Sequence, residues 1–245
     1  MFIFRIQPVM NNAEFFRFKQ FNIRHQSGPM KVGTDSVLLG AWAVSKLKSN
    51  PPVRVLDVGA GTGILSLMLA QAFPTAQIDA LEPDQDALED LRFNIKQSSF
   101  VDKINLIEQK LQDYIPVHKY DTIISNPPYF PGEMETERKY ARSKTFLNIR
   151  DIFSFAGKYG LPGVRIFIVF PVEQSNEILD AAYSNDFFPV LRTTFRHDQK
   201  TPWKRTLWSF SDDYNRDFEE DFITLFDNKG ELTVKHKVLT EKYYL

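Results

Sequence analysis

Between Val53 and Ile64 a short apolar run, Val-Arg-Val-Leu-Asp-Val, meets glycines at alternate positions, Gly59, Gly61 and Gly63, and then passes without a spacer into an apolar stripe. Glycine at each of these places answers a backbone that must turn sharply at a strand's end and approach something closely, because it alone takes positive φ at no steric cost and carries no Cβ. Ile64, Leu65, Leu67, Met68 and Ala72 recur at helical spacing, so the unit reads as strand, tight loop, helix. The same grammar continues downstream. Residues 77–81 alternate again, Ala87, Leu88, Leu91 and Ile95 mark the next helix face, and the runs INLIEQ, YDTIIS and VRIFIVF read as strands. Helical segments are expected near 148–158 and 174–183. Repeated βα alternation implies an α/β fold around a doubly wound, mostly parallel sheet. PVLRTTFRHD and KRTLWSF are joined by a turn around Pro202 too short for a crossover helix, so they should pair antiparallel. That predicts a seven-stranded sheet finishing on a reversed, C-terminal strand.

Before this core lies FFRFKQFNIRHQ, an aromatic and basic alternation typical of strands, and then MKVGTDSVLLGAWAVSKL, where Thr34 or Asp35 can cap a helix starting at Ser36. Residues 1–50 thus read as an N-terminal extension packed on a core domain of residues 51–245, the whole forming a single structural unit.

Composition narrows the chemistry. The absence of cysteine removes disulfide scaffolds, thiolate metal sites and cysteine nucleophiles. Four scattered histidines, His25, His118, His197 and His236, show no metal-ligand spacing, and no metal is predicted. The longest uncharged stretch, Val58 to Ile78, holds three glycines and Pro74, which argues against a transmembrane helix. The opening residues show no secretory signal, so the expected compartment is the cytoplasm. A monomer is favoured, the oligomeric state being left open. The net charge of −1 hides blocks of +5 (residues 1–50), −5 (51–130), +3 (131–210) and −4 (211–245), a pattern that suits a polyanionic partner or plain solvated surface.

The glycine loop departs from the dinucleotide fingerprint, whose third glycine falls five positions after the first; here the spacing is G-x-G-x-G. Asp57, two residues before the loop, would repel a pyrophosphate yet suit a cationic amino acid. Glu82 closes the second strand, where an acid can accept from ribose hydroxyls, and Asp113 follows the third, where it can accept from an adenine amino group. The string VLDVGAGTG with its downstream acid resembles the first motif of the class I S-adenosylmethionine-dependent methyltransferases, which implies that cofactor; the competing readings are a nicotinamide-binding domain and glycines that serve only helix–strand packing.

At the end of the fourth strand stands Ser125-Asn126-Pro127-Pro128-Tyr129. Two successive prolines hold this turn rigid. The Asn126 side-chain oxygen and the Pro127 carbonyl can both accept from an exocyclic amine, and Tyr129 offers a flat stacking surface for a planar substrate. Two basic segments offer themselves to RNA. One is the long polar stretch carrying Arg138, Lys139, Arg142 and Lys144; the other is the turn carrying Arg196, Lys200, Trp203, Lys204 and Arg205, with solvated surface or sheet packing as the alternative for each.

Asn-Pro-Pro-Tyr is shared by methyltransferases for adenine N6, guanine N2 and protein glutamine. The upstream residues Phe18-Lys19-Gln20-Phe21 and MKVGTDSVLLGAW, with VLDVGAGTG, SNPPYF, Ala141-Arg142 and the terminal LTEKYYL, resemble the bacterial tRNA (adenine-N6)-methyltransferases that modify the anticodon loop of a valine tRNA. The resemblance spans nearly the whole chain. It implies a Rossmann-like methyltransferase sheet, an acceptor adenine at position 37 held by Asn126, Pro127 and Tyr129, and cofactor contacts at Gly33, Thr34 and Asp35. Ser36 stands where the family pattern leads one to expect glycine, a departure expected to leave the catalytic motifs untouched. The alternatives are a glutamine methyltransferase acting on a release factor and a non-catalytic cofactor- and RNA-binding module.

Overall fold

The computed structural model describes residues 15–27, 32–127 and 147–244. In chain order it contains β1 (Phe15–Arg17), β2 (Asn22–Arg24), α1 (Thr34–Leu47), β3 (Arg54–Val58), α2 (Ile64–Ala72), β4 (Gln77–Leu81), α3 (Gln85–Gln97), β5 (Ile104–Ile107) and β6 (Tyr120–Ser125). Then follow α4 (Ile149–Tyr159), β7 (Gly160–Pro171), α5 (Ser175–Tyr183), β8 (Phe188–Arg196), β9 (Arg205–Ser211), β10 (Glu219–Thr224) and α6 (Val234–Thr240).

The main sheet has eight strands in the order β10-β8-β9-β7-β6-β3-β4-β5. β3 pairs parallel with β4 and β6, and β9 is antiparallel to both neighbours, β7 and β8. The doubly wound, mostly parallel sheet is therefore present, with two corrections. The reversed strand β9 is inserted between β7 and β8, and the sheet ends on β10, parallel to β8, an eighth strand that the seven-strand reading lacks. β10 was invisible because Glu219, Glu220, Asp221 and Phe222 are all exposed and only Ile223 is buried. Charge on an edge strand blunts edge-to-edge pairing, and it also erases the apolar alternation by which strands are read.

Side chains alternate between two cores along each strand. Val55, Ile124, Phe167, Val169 and Leu207 pack with α1, α2 and α3 on one face; Leu56, Ile123, Ile166, Ile168 and Trp208 pack with α4 and α5 on the other. In α2, Ile64, Leu65, Leu67, Met68 and Leu69 are all buried, and at about 1.5–3 kcal/mol for each buried large aliphatic side chain the helix is held firmly against the sheet. The glycine loop that feeds it therefore sits on a rigid base.

The first helix begins two residues earlier than the capping pattern suggested. Its N-cap is Gly33, in an extended conformation, and neither Thr34 nor Asp35 caps it. Asp35 instead pairs with Arg205 at the start of β9, Nε to Oδ2 at 2.9 Å. A long-range ion pair has displaced the local capping bond. The β1–β2 hairpin docks on α3: the Arg24 Nε lies 2.6 Å from the fully buried Asp90, and the Asn94 side chain both accepts from Arg24 N (2.7 Å) and donates to Arg24 O (2.9 Å).

Candidate active site

The chain leaves β3 toward β4 and β5, then returns to lay β6 on the other side of β3. This reversal opens a crevice beyond the carboxyl ends of β3 and β6, the place where open α/β sheets bind ligands. The glycine loop follows one of these strand tips and Asn126 the other. Register sets Asp57 opposite Ile124, and the Ser125 hydroxyl donates to the Val58 carbonyl at 2.8 Å, tying the two tips together. Glycine loop and Asn-Pro turn therefore share one crevice.

Gly59, Gly61 and Gly63 all have positive φ, +69°, +56° and +82°. Their surroundings differ. Among the described residues a Cβ on Gly61 would meet nothing closer than the Gly59 carbonyl at 4.0 Å, and one on Gly59 nothing closer than Leu147 at 3.9 Å, whereas a Cβ on Gly63 would lie 2.6 Å from Leu91 Cδ1. The first two keep space open above the loop, while the third admits α3 against the loop. Asn94 of α3 also donates to the Thr62 carbonyl at 2.9 Å, so the N-terminal hairpin and the glycine loop are braced by one amide. The sequence reading passed over Asn94, although a polar residue between Leu91 and Ile95 on an apolar face was a usable signal.

Glu82 is nearly buried and accepts from Gly61 N at 2.8 Å through one oxygen and from Asp84 N at 2.9 Å through the other. It thus shapes the loop as well as facing the crevice. Burial pushes its pKa up against the pull of those two N–H groups. Asp57 is fully buried; its Oδ2 accepts from the Ser66 amide (3.0 Å) and hydroxyl (2.6 Å), while its Oδ1 is buried without a hydrogen-bond partner among the described residues. Desolvation raises its pKa to about 7, the Ser66 bonds pulling it down and the charge of Glu82 adding to the rise. An orphaned carboxylate oxygen is costly unless a donor reaches it. A cationic amino-acid end fits that need, and a buried acid and an acceptor for ribose hydroxyls beside open glycine backbone fit a nucleoside that carries one. Asp113 is exposed on a 3₁₀ turn after β5.

Asn126 is half-buried and Pro127 buried immediately past β6. The Asn126 Nδ2 donates to the Ser36 hydroxyl at 2.7 Å. Ser36 leaves the motif's own residues unchanged, yet from ninety residues away in sequence it touches the asparagine that leads it. No local pattern could have shown this contact, because it arises from α1 packing across the sheet. Tyr129, and the basic residues Arg138, Lys139, Arg142 and Lys144, lie outside the described residues.

The β8–β9 turn opens on the same edge of the sheet, since β8 runs parallel to β7. Within it Arg196 stacks over Trp203 at 4.4 Å and donates to Thr224, and Trp203 also packs on Phe222. Arg205 is engaged by Asp35. Lys200 and Lys204 are exposed and form no ion pair among the described residues. The predicted cluster thus divides into residues that build the turn and lysines that face solvent.

Fold and site together define a class I S-adenosylmethionine-dependent methyltransferase. The methyltransferase small domain family matches residues 36–148. The chain is 38% identical over 202 residues to the tRNA1(Val) (adenine(37)-N6)-methyltransferase of Parabacteroides distasonis, covering 80% of this chain and 83% of that protein. It is 33% identical over 235 residues to the protein of the same name from Flavobacterium johnsoniae, covering 94% and 99%. The chain belongs to this tRNA1(Val) (adenine(37)-N6)-methyltransferase family. The fold is also similar to a crystal structure from Agrobacterium tumefaciens described as a predicted O-methyltransferase, with TM-score 0.68, 17% identity and coverage of 85% and 96%. Among the described residues no helix is long and apolar enough to cross a membrane, and no cluster of His, Cys, Asp and Glu could hold a metal ion.

Proposed function

We infer that this protein transfers a methyl group from S-adenosylmethionine to the N6 amine of an adenine in tRNA, at position 37 in the anticodon loop of a valine tRNA, and that it does so in the cytoplasm. The observation that carries this reading is the Ser125–Val58 bridge, which keeps Asn126 one residue beyond the tip of the glycine-loop strand. Bound S-adenosylmethionine would supply an electrophilic methyl on a sulfonium. Asp57 Oδ1 would accept from its ammonium group, Glu82 from its ribose hydroxyls and Asp113 from its adenine amine, with Gly59, Gly61 and Gly63 giving the backbone its close approach. Gly33, Thr34 and Asp35, at the start of α1, would close over the methionine end.

On the acceptor side, Asn126 Oδ1 and the Pro127 carbonyl would each take a hydrogen bond from the adenine amine. Its nitrogen lone pair is delocalised into the ring, and two acceptors on its hydrogens favour the pyramidal form in which that pair is available for bonding. No strong base is required, because the proton leaves only after the nitrogen has become cationic and acidic. Tyr129 would stack on the base, at about 1–3 kcal/mol, comparable with the cost of drawing it from the loop. Lys200 and Lys204 would meet phosphates, beside the turn built by Arg196, Trp203 and Arg205, and Arg138, Lys139, Arg142 and Lys144 are proposed as further RNA contacts.

Labelled methyl transfer to unmodified valine tRNA tests the reading, with a release factor offered as the competing acceptor. Asn126→Ala should abolish transfer to tRNA while S-adenosylmethionine still binds by calorimetry; full turnover in that variant would remove the amine-holding role.

A further inference from the structure

Resting on that reading of Asn126, we propose that Ser36 is a positioning residue for the reaction: its hydroxyl restrains the Asn126 amide in the orientation that presents the oxygen to the acceptor amine. The two arms of a carboxamide have nearly the same shape and opposite hydrogen-bonding character. A turned amide would place N–H groups against the N–H groups of the adenine, which binds nothing and repels the substrate. The bond from Nδ2 to Ser36 Oγ at 2.7 Å holds the amide in the orientation that leaves Oδ1 for the amine.

The serine is well placed to impose an orientation because it cannot easily move. It is 9% exposed and lies in the first turn of α1, followed by the buried Val37, Leu38 and Leu39. The preceding residue, Asp35, is clamped to Arg205 across the ligand edge of the sheet. Asn126 itself follows a strand tied to β3 through Ser125. Both ends of the Ser36–Asn126 contact are thus anchored to separate strands.

The test is single-turnover methyl transfer to valine tRNA at saturating concentrations, with S-adenosylmethionine affinity and melting temperature measured alongside. Ser36→Ala and Ser36→Gly should lower the rate about three- to tenfold, the effect of one hydrogen bond, with cofactor affinity within about twofold of the parent and Ser36→Thr retaining most of the rate. A parental rate in Ser36→Ala, a loss in Ser36→Thr as large as in Ser36→Ala, or a fall in cofactor affinity matching the fall in rate would each overturn the proposal. Should a variant that lacks the hydroxyl not fold, as its melting temperature shows, Ser36→Thr, which keeps it, carries the measurement. Asn126→Ala is run in parallel: activity there would refute the amine-holding reading, whereas an inactive Asn126→Ala beside a fully active Ser36→Ala would refute only the positioning role.

Discussion

Replacing Asp57 by asparagine should make the ligand-free protein sturdier in alkaline solution and at the same time poorer at holding its cofactor. Asp57 is fully buried, and its pKa rises from 3.8 to about 7 because desolvation outweighs the two bonds from Ser66. The folded state therefore keeps a proton that the unfolded state gives up. For such a group the favourable share of stability is whole below about pH 4 and is lost as pH climbs through about 7. At about 1.4 kcal/mol per pKa unit, burying this carboxyl, protonated at pH 5.5 and ionised at pH 8.5, costs the folded state about 2 kcal/mol at the lower pH and about 4 kcal/mol at the higher. Asparagine carries no charge, so it escapes this cost at every pH; its buried NH₂ adds a fixed penalty of about 1–3 kcal/mol. The gap between variant and parent should therefore shift by about 2 kcal/mol in the variant's favour between the two pH values. Glu82 titrates in both proteins and largely cancels. Urea denaturation of both proteins at pH 5.5 and 8.5 measures the gap, and calorimetry should show S-adenosylmethionine binding about tenfold or more weaker in the variant, the loss expected for one charge-assisted hydrogen bond. An identical stability gap at both pH values would show that the carboxyl is not held protonated by burial, and the reasoning would fail.

The glycines should separate by mechanism. Gly61→Ala, whose Cβ position has no described residue closer than 4.0 Å, should cost about 1–2 kcal/mol from positive φ alone and weaken cofactor binding, whereas Gly63→Ala should cost more because Leu91 Cδ1 stands 2.6 Å from the new methyl; equal losses in urea titration would refute the packing role of Gly63. For the β8–β9 turn, Lys200→Ala with Lys204→Ala should raise KM for tRNA but not for cofactor, and flatten the slope of log affinity against log salt by about 1.4, at about 0.7 per phosphate contact on a single-stranded loop. An unchanged slope would place the RNA surface elsewhere.

How much of this was legible beforehand depends on how local the physics was. The glycine loop, the helix stripes after it and the strands at 54–58, 77–81 and 120–125 were readable because each is fixed by the residues that compose it: positive φ by glycine, a face by its period. That the candidate site's two turns share an edge was legible too, since the turn after the fourth parallel strand must open on the same edge as the turn after the first. β10 and α6 escaped because an edge strand with exposed acids and a short helix owe their existence to the neighbours they cover.

The amino-acid sequence alone thus determined the α/β alternation, the glycine loop after the first parallel strand and the asparagine after the fourth. Tertiary structure alone decided which polar groups those residues spend on one another: Asp57 on Ser66, Glu82 on the Gly61 amide, Asp35 on Arg205, and Asn126 on Ser36. Two of these four pairings, Asp35 with Arg205 and Asn126 with Ser36, join residues more than eighty positions apart. A hydrogen bond acts over about 3 Å, and only folding brings such atoms within that reach.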